Sequence, residues 1–257
     1  MSELDIAVCV KRVPATDTRI RIAGSGAGIE TAGVKYILSP YDEFAIEGAL
    51  RLRDAAGGGR VSLVSFGAAA AQEQLRTGLA MGADSATLLA GDSDVDALAT
   101  ARVLAGWFSS LEEQGGASGL ILLGVKAADY DQQQVGPMLG VLLDRPCVTG
   151  VVEVELRDGA VRCERETETG VEVVEVELPA VLTVTKGEYE PRFVSLRGIM
   201  AARRKPLLTG EAESAPSGAV VERLIAPPAR PPGRVVGTGS EAVPELVRLL
   251  REEAHAI

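Results

Sequence analysis

The apolar positions of the N-terminal half follow two alternating patterns. Four short apolar runs are typical of strands buried on both faces of a parallel sheet: residues 4–10, 61–66, 86–89 and 120–123. In three intervening segments, apolar residues recur every three or four positions, which predicts helices: residues 42–53, 70–81 and 95–111. Asp92 or Ser93 is the expected N-cap of the third helix. This alternation predicts an α/β fold, a doubly wound parallel sheet of the Rossmann-like, adenine-nucleotide-binding kind.

The pattern changes after residue 150. Residues 151–156 and 171–178 alternate Val with Glu, which predicts half-exposed strands. Residues 206–240 are rich in Pro, Gly, Ser and Ala, which is typical of an extended arm. A short amphipathic helix is predicted over residues 241–253, with an apolar face of Val243, Leu246, Val247 and Leu250. We therefore expect a core of residues 1–205 and an arm of residues 206–257 that packs on a partner subunit, with docking onto its own domain as the alternative.

Composition narrows the class of protein. The net charge of −10 argues against binding to nucleic acid or to an anionic membrane surface. No apolar run is long enough to insert into a membrane, and the acidic N-terminus lacks the features of a signal peptide. Cys9, Cys147 and Cys163 have no metal-ligand spacing and fit a reducing compartment, so a cytoplasmic protein is expected. The only histidine is His255, which argues against a Ser/His/Asp triad and an HExxH zinc site.

The sharpest local feature is the polar loop after the 120–123 strand. The strand ends at Gly124, and a helix is expected to start near Asp131 or Gln132. The free N–H groups of such a helix favour an anion such as a phosphate, although a solvated βα turn is the alternative because neither P-loop nor GxGxxG spacing is present. The inner face of this helix is predicted to carry Val135, Met138, Leu139 and Leu142.

Three further segments are expected near the same edge of the sheet. The Lys11–Pro14 loop offers cations to a phosphate, and Ser65–Ala68 contains Gly67, which permits close backbone approach. Residues 39–43 (Ser-Pro-Tyr-Asp-Glu) look like a turn into a helix, in which Tyr41 either stacks on a base or belongs to the helix cap.

Eight segments occur in an order that resembles the β subunit of electron transfer flavoproteins. They are Lys11–Val13, Gly33–Lys35 with Ser39–Glu43, Ala45–Leu52, Arg76–Asp84, Gly124–Pro137, Glu164–Glu166, Leu178–Thr183 and Glu190–Met200. The resemblance extends from residue 4 to about residue 206. It implies an electron carrier subunit rather than an enzyme, with no catalytic residue and no metal, paired with a larger α subunit that holds most of the FAD.

The resemblance also implies a bound AMP in this subunit. The residues that match the family's AMP pocket are Cys9, Ser39, Pro40, Tyr41, Asp42, Phe66, Gly124, Val125, Lys126, Ala127, Ala128, Asp129, Tyr130, Asp131, Gln132, Gln133, Gln134 and Val135. Backbone N–H groups dominate such sites, so changes of side chain at positions 9 and 66 are tolerable.

The basic segment 191–200 is similar to the family's recognition loop, which docks on acyl-CoA dehydrogenases and related flavoenzymes. Leu196 matches its apolar anchor, with Arg192 and Arg197 around it and Ile199 and Met200 following; the alternative is a core Leu in an ordinary turn. Arg165 and Glu166 match a segment at the subunit interface, or else belong to a solvated strand. A quinone oxidoreductase of the type that accepts electrons from these carriers is the expected acceptor.

Departures from the family pattern leave the nucleotide open. A sub-group bifurcates electrons from NADH and carries a second FAD in the β subunit; its motifs are matched by Gln134–Pro137 and Val13-Pro14. Tyr130 replaces that sub-group's small Gly, and Val135 lacks the hydroxyl of the AMP-type Thr. AMP is preferred because a bulky Tyr stands where a flavin loop needs Gly. A non-redox adenine-nucleotide-binding regulator is the alternative from another class, and an ATP pyrophosphatase would need a phosphate loop that Lys11–Ala15 does not provide.

Overall fold

The computed structural model describes residues 4–92, 94–116, 118–187, 189–213, 215–229 and 232–257. Its strands are β1 (Asp5–Cys9), β2 (Arg12–Pro14), β3 (Tyr36–Leu38), β4 (Arg60–Gly67), β5 (Ser85–Ala90), β6 (Leu120–Gly124), β7 (Cys147–Arg157), β8 (Ala160–Thr167), β9 (Gly170–Glu177), β10 (Ala180–Val184) and β11 (Leu207–Glu211). Its α-helices are α1 (Pro40–Ala55), α2 (Gln72–Met81), α3 (Ala97–Glu113), α4 (Val135–Leu142), α5 (Leu196–Ala202) and α6 (Val243–Glu252).

Nine of the strands form one sheet in the order β11-β5-β4-β1-β6-β10-β7-β8-β9. The pairs from β11 to β7 are parallel, and β7, β8 and β9 continue the sheet as an antiparallel meander. The four predicted apolar strands are β1, β4, β5 and β6, and they lie together in the centre, where both faces are covered. The predicted Rossmann-like α/β fold is thus confirmed, as are the half-exposed strands β7 and β9.

Two apolar cores cover the two faces of this sheet. Ile46 and Leu50 of α1 pack with Leu75 and Leu79 of α2 on one face. On the other face the core includes Phe108 of α3 and Leu139 of α4. Helices on both faces are what makes a parallel sheet stable, because its strands are apolar on both sides.

The helix after β6 differs from its prediction. It begins at Val135, not near Asp131, because Asp131 adopts a left-handed φ of 56° and closes a turn with the carbonyl of Ala127. Its buried face is Gly136, Leu139 and Gly140, whereas Leu142 is half exposed. A Cβ at residue 140 would lie 2.9 Å from the Cβ of Cys147, and one at residue 136 would overlap the methyl group of Thr183. The helix therefore packs on the sheet through glycines, a contact that apolar periodicity does not detect.

Two other boundaries also differ. The N-cap of α3 is Asp96, whose side chain accepts from the N–H of Ala99, rather than Asp92; Ser93 lies outside the described residues. The predicted core ended at residue 205, yet residues Leu207–Glu211 form β11 and pair with β5 as an edge strand of the main sheet. The Pro-rich composition that follows this strand hid it from pattern analysis.

The arm beyond β11 runs along its own domain before it reaches α6. The N–H groups of Gly218 and Ala219 donate to Asp96 at 2.6 and 3.0 Å, and the N–H of Leu224 donates to the carbonyl of Gly26 at 2.8 Å. The first half of the arm therefore docks on its own domain, which is the alternative given above. The predicted terminal helix is confirmed as α6. Among the described residues, no helix has the length and apolarity needed to cross a membrane.

Candidate functional site

A pocket lies at the carboxyl edge of β1, β4 and β6, where these parallel strands open into loops. Its walls include Cys9 from β1, Phe66 from β4 and Leu104 from α3, and its polar rim includes Lys11 and Lys126. Ligands of doubly wound sheets bind at this edge, because loops and helix N-termini converge there. The pocket therefore lies where doubly wound sheets bind their ligands.

Asp42 in the first turn of α1 joins two of the strand ends. Its carboxylate accepts from the backbone N–H of Lys11 at 2.7 Å and from that of Gly124 at 3.1 Å. Burial raises the pKa of this carboxyl to about 7, although the two N–H groups act in the opposite direction. A Cβ at residue 124 would overlap the Asp42 carboxylate and lie 2.8 Å from the carbonyl carbon of Tyr41. Glycine at this strand end is thus a requirement of the contact between α1 and β6.

Two lysine–aspartate pairs lie beside the pocket. The Nζ atom of Lys11 lies 2.7 Å from Asp129 and 4.8 Å from the ring centre of Tyr130. Lys126 repeats this arrangement at 2.8 Å from Asp131 and 5.4 Å from the ring of Tyr41. Both cations of the rim are therefore balanced by carboxylates of the 124–135 loop, so an anionic ligand here depends on backbone N–H groups more than on free charge.

Cys9 lines the pocket, and its thiol is not suited to act as a nucleophile. Cys9 is buried, and burial followed by the nearby Asp42 charge raises the pKa of its thiol far above the usual range. A thiol that stays protonated does not act as a nucleophile.

The residues predicted for the pocket divide into two groups. Those that line it are Cys9, Asp42, Phe66, Gly124, Val125, Lys126, Ala127, Tyr130, Gln132 and Val135. Those that lie behind or beside it are Ser39, Pro40, Tyr41, Ala128, Asp129, Asp131, Gln133 and Gln134. The hydroxyl of Ser39 is fully buried and has no hydrogen-bond partner among the described residues.

Sequence reasoning missed the contribution of α3 and the central strands. The additional lining residues are Val10, Lys11, Val64, Val95, Ala97, Thr100, Leu104, Leu123 and Gly136, of which only Lys11 had been considered as a possible phosphate contact. The Thr100 hydroxyl donates to the carbonyl of Asp96 within its helix. The sequence signal that could have revealed the contribution of α3 is its pair of small residues Ala97 and Thr100, which lie about one turn apart on the same face of the helix.

A second candidate surface is the segment of residues 191–203, which ends in α5. Its apolar side chains are turned outward: Phe193 is 100% exposed, Leu196 83% and Met200 60%, and Ile199 is also exposed. Arg197, Arg203 and Arg204 are exposed, and none of their guanidinium groups has an ion-pair or hydrogen-bond partner in the described part of the chain. Leu196 is therefore not a core residue. Phe193, which pattern analysis passed over, is the most exposed of the group.

Arg192 differs from its expected role as a rim charge. Its Nε and Nη2 atoms lie 2.7 and 3.0 Å from the two carboxylate oxygens of Glu47 on α1. The Arg192 guanidinium binds within its own chain, because the Glu47 carboxylate is buried and needs a cation. Arg192 therefore anchors the segment and does not face outward with Leu196.

The other two predicted partner contacts lie on the antiparallel extension. Arg165 of β8 approaches Glu172 of β9 at 3.3 Å, and Glu166 next to it is exposed. The 191–203 segment packs instead on helices α1 and α2. The two sets of predicted partner contacts therefore lie in different parts of the molecule. The ion pair between Arg165 and Glu172 agrees with the alternative of a solvated strand. The exposed side chain of Glu166 is accessible for a contact with a partner subunit.

Fold and pocket together define a Rossmann-like α/β protein with its site at the carboxyl edge of the sheet. A family model described as "Electron transfer flavoprotein domain" matches residues 27–215. The chain is 38% identical over 256 residues to the "Electron transfer flavoprotein subunit beta" of Bradyrhizobium diazoefficiens, covering 99% of this chain and 100% of that protein. It is 35% identical over 266 residues to the protein of the same name from Bacillus subtilis, with the same coverage.

A plant relative gives the same result. The "Electron transfer flavoprotein subunit beta, mitochondrial" of Arabidopsis thaliana is 35% identical over 256 residues, 99% of this chain and 100% of that protein. The chain belongs to the electron transfer flavoprotein family, in its beta-subunit branch, as the ordered motifs had indicated.

Proposed function

We propose that this chain is the β subunit of a heterodimeric electron transfer flavoprotein in the cytoplasm. It receives electrons from flavoprotein dehydrogenases of the acyl-CoA type and passes them to an acceptor such as a quinone oxidoreductase. The observation that carries the proposal is the 191–203 segment, which is fixed at both ends and exposes apolar side chains together with arginines that have no ion-pair partner among the described residues. Such a surface suits a transient partner, because apolar burial gives affinity and charges at the rim speed encounter.

The pocket residues fit an adenosine monophosphate. The apolar walls formed by Phe66, Leu104 and Val135 suit a base, and the start of α4 offers the free N–H groups of a helix N-terminus to a phosphate. Since Asp129 and Asp131 balance both lysines, the rim offers little excess positive charge to a longer phosphate chain.

In the heterodimer, FAD supplies the redox chemistry and lies mainly in the α subunit. The residues of this chain provide binding surfaces and perform no bond chemistry. Apolar side chains left exposed on the second half of the arm and on α6 support packing on that subunit: Ile225, Val235, Val243, Leu246 and Val247. Glu166 on β8 is proposed as a further contact of the same interface.

A second FAD in this pocket, with electron bifurcation from NADH, is the alternative within the family. The Gln134-Val135-Gly136-Pro137 sequence at the start of α4 favours it, because it resembles the loop of the bifurcating sub-group. Tyr130 argues against it, since its ring is held at the rim by Lys11 and occupies space that a longer cofactor needs. Family membership favours either redox role over a non-redox nucleotide-binding regulator.

The docking role is tested by Leu196→Ala in the purified heterodimer. Electron transfer from an acyl-CoA dehydrogenase reduced by octanoyl-CoA is followed by the loss of FAD absorbance. We expect the KM for the dehydrogenase to rise about tenfold, as for loss of an interface anchor, with unchanged FAD content. Val141→Ala, at an aliphatic side chain that is 81% exposed on α4, is the matched control and leaves the KM unchanged. An unchanged KM in Leu196→Ala contradicts the proposal.

A further inference from the structure

The 191–203 segment is held in place at Arg192, which we call its base, while the side chains of Phe193 and Leu196 that follow are exposed. Glu47 is 6% exposed, and its carboxylate accepts three hydrogen bonds from one residue. Two come from the guanidinium of Arg192, and the backbone N–H of the same residue donates to Oε2 at 3.2 Å. The Glu47 carboxylate thus fixes both the backbone and the side chain of Arg192, and the exposed Asp54 carboxylate is a more distant ion-pair partner at 3.8 Å.

The residues just before Arg192 also rest on α1. The ring of Tyr189 lies 6.3 Å from that of Phe44, and the guanidinium of Arg51 stands 4.9 Å from its centre. A Cβ at residue 48 would lie 2.9 Å from the Tyr189 hydroxyl, so Gly48 makes room for this ring. The residues that lead into the segment therefore pack on one face of α1, between residues 44 and 51.

The far end of the segment is fixed by α2. Arg76 donates to the carbonyls of Ala202 and Lys205 at 2.6 and 2.9 Å, and the Lys205 ammonium donates to the carbonyls of Leu79 and Ala83 at 3.1 and 2.6 Å. Residues 193–200 thus lie between two fixed ends of the segment, Arg192 held on α1 and Ala202 held on α2. Among the described residues of this arrangement, Glu47 is the buried charge, so a single substitution at this position should release the Arg192 end.

We infer that Glu47 is a positioning residue for partner docking: through Arg192 it holds Phe193 and Leu196 in the orientation in which they meet a dehydrogenase. Glu47 itself is buried on α1 and touches no partner. Preorganisation of this kind improves affinity because the ordering cost of the segment is met before binding. The inference rests on the proposed docking function and adds a residue outside the 191–200 segment to it.

The test compares Glu47→Gln with Glu43→Gln in the purified heterodimer. Glu43 lies one turn earlier on the same helix, so it receives the same chemical change away from Arg192. Glutamine keeps the size of Glu47 but loses the charge that the Arg192 fork requires. In Glu47→Gln we expect the KM for octanoyl-CoA-reduced acyl-CoA dehydrogenase to rise about fivefold, with kcat and FAD content unchanged. Glu43→Gln should behave as the unmodified protein.

Limited trypsin digestion gives a second readout that needs no dehydrogenase. Arg197 is a trypsin site that lies between the two fixed ends, and release of the Arg192 end should make cleavage there about tenfold faster in Glu47→Gln, since proteolysis follows the population of the opened form. Arg192→Lys keeps the charge but not the fork, and it should show the same two effects if Glu47→Gln does not assemble.

The two proposals fail in different ways. If Leu196→Ala raises the KM but Glu47→Gln and Arg192→Lys change neither the KM nor the cleavage rate, the positioning role of Glu47 is wrong and docking stands. If cleavage accelerates while Leu196→Ala leaves the KM unchanged, Glu47 orders a segment that is not the docking site, and the inference fails together with the proposed function. A lower kcat at unchanged KM would also overturn it.

Discussion

The pocket and the 191–203 segment treat charge and apolar surface in opposite ways. At the pocket, Lys11 and Lys126 are each balanced by an aspartate, and the apolar walls face inward. On the segment, the guanidinium groups of Arg197 and Arg203 have no partner in the described chain, and Phe193 and Leu196 face solvent. A site whose charges are already paired suits a ligand that stays bound, whereas unpaired charges and exposed apolar groups suit a partner that comes and goes.

Helix α1 connects the two regions. Asp42 in its first turn joins the strand ends beneath the pocket, and Glu47 five residues later holds the base of the segment. Both carboxylates are buried, but only Glu47 meets a cation directly. The comparison therefore predicts that substitutions at the pocket alter stability and nucleotide content, and that those on the segment alter partner kinetics alone.

The largest effect is expected for Gly124→Ala at the pocket. The added methyl group would overlap the Asp42 carboxylate and press on the backbone of Tyr41, so it should destabilise the fold by about 2–3 kcal/mol. Urea unfolding measures the loss. Gly106→Ala is the matched control, because it lies in the middle of α3 and an added Cβ would have no neighbour within 4 Å beyond the adjacent backbone of its own helix. It should stabilise the fold by about 0.5–1 kcal/mol. Equal behaviour of the two variants would contradict the account of the Asp42 contact.

The next effect is the pH dependence that Asp42 imposes. Its folded-state pKa of about 7 lies above the ordinary value of 3.8, so the folded chain holds a proton that the unfolded chain releases. The stability contributed by this group is present below about pH 4, falls as the pH rises towards 7 and is constant above that. The slope cannot exceed about 1.4 kcal/mol per pH unit for one proton.

Asp42→Asn isolates this contribution. Urea midpoints of the unmodified chain and the variant at pH 5, 6, 7 and 8 are compared, and the variant should lose part of the decline between pH 5 and 7. Identical slopes in the two proteins would show that Asp42 does not titrate in this window.

On the segment, Phe193→Ala should raise the KM for the dehydrogenase by about five- to tenfold, because an exposed aromatic residue beside an anchor is a favoured interface contact. The urea midpoint should not change, since the side chain is 100% exposed in the free chain. A stability loss in place of the kinetic effect would place Phe193 in the fold and not at the interface.

The smallest effect is expected for Arg203→Gln combined with Arg204→Gln. Removal of two unpaired charges should lower the association rate about threefold at low salt and flatten its dependence on ionic strength. Stopped-flow measurements from low to high salt test this. Arg102→Gln on α3, an exposed arginine on the opposite face of the sheet, is the control and should leave the salt dependence intact; the same flattening there would indicate a general charge effect.

Sequence alone predicted what depends on apolar periodicity and on ordered motifs. The central strands β1, β4, β5 and β6 were found because both of their faces are apolar. The family motif singled out Leu196, whose side chain is exposed and whose role as an anchor stays a prediction. Pattern analysis failed where glycines make the contact: Gly136 and Gly140 turned the buried face of α4 away from Leu142. The pairing of Arg192 was not foreseen, because its carboxylate partner Glu47 is 145 residues away in sequence. Contacts of that range are visible only in the fold.

The central claim is most directly tested by the nucleotide content of the complex. The chain is purified with its α partner and denatured, and the released nucleotides are separated and quantified against protein. The account predicts one FAD and one AMP per heterodimer. Two FAD and no AMP would contradict it, and would mean that the pocket at the carboxyl edge holds a flavin despite Tyr130 at its rim.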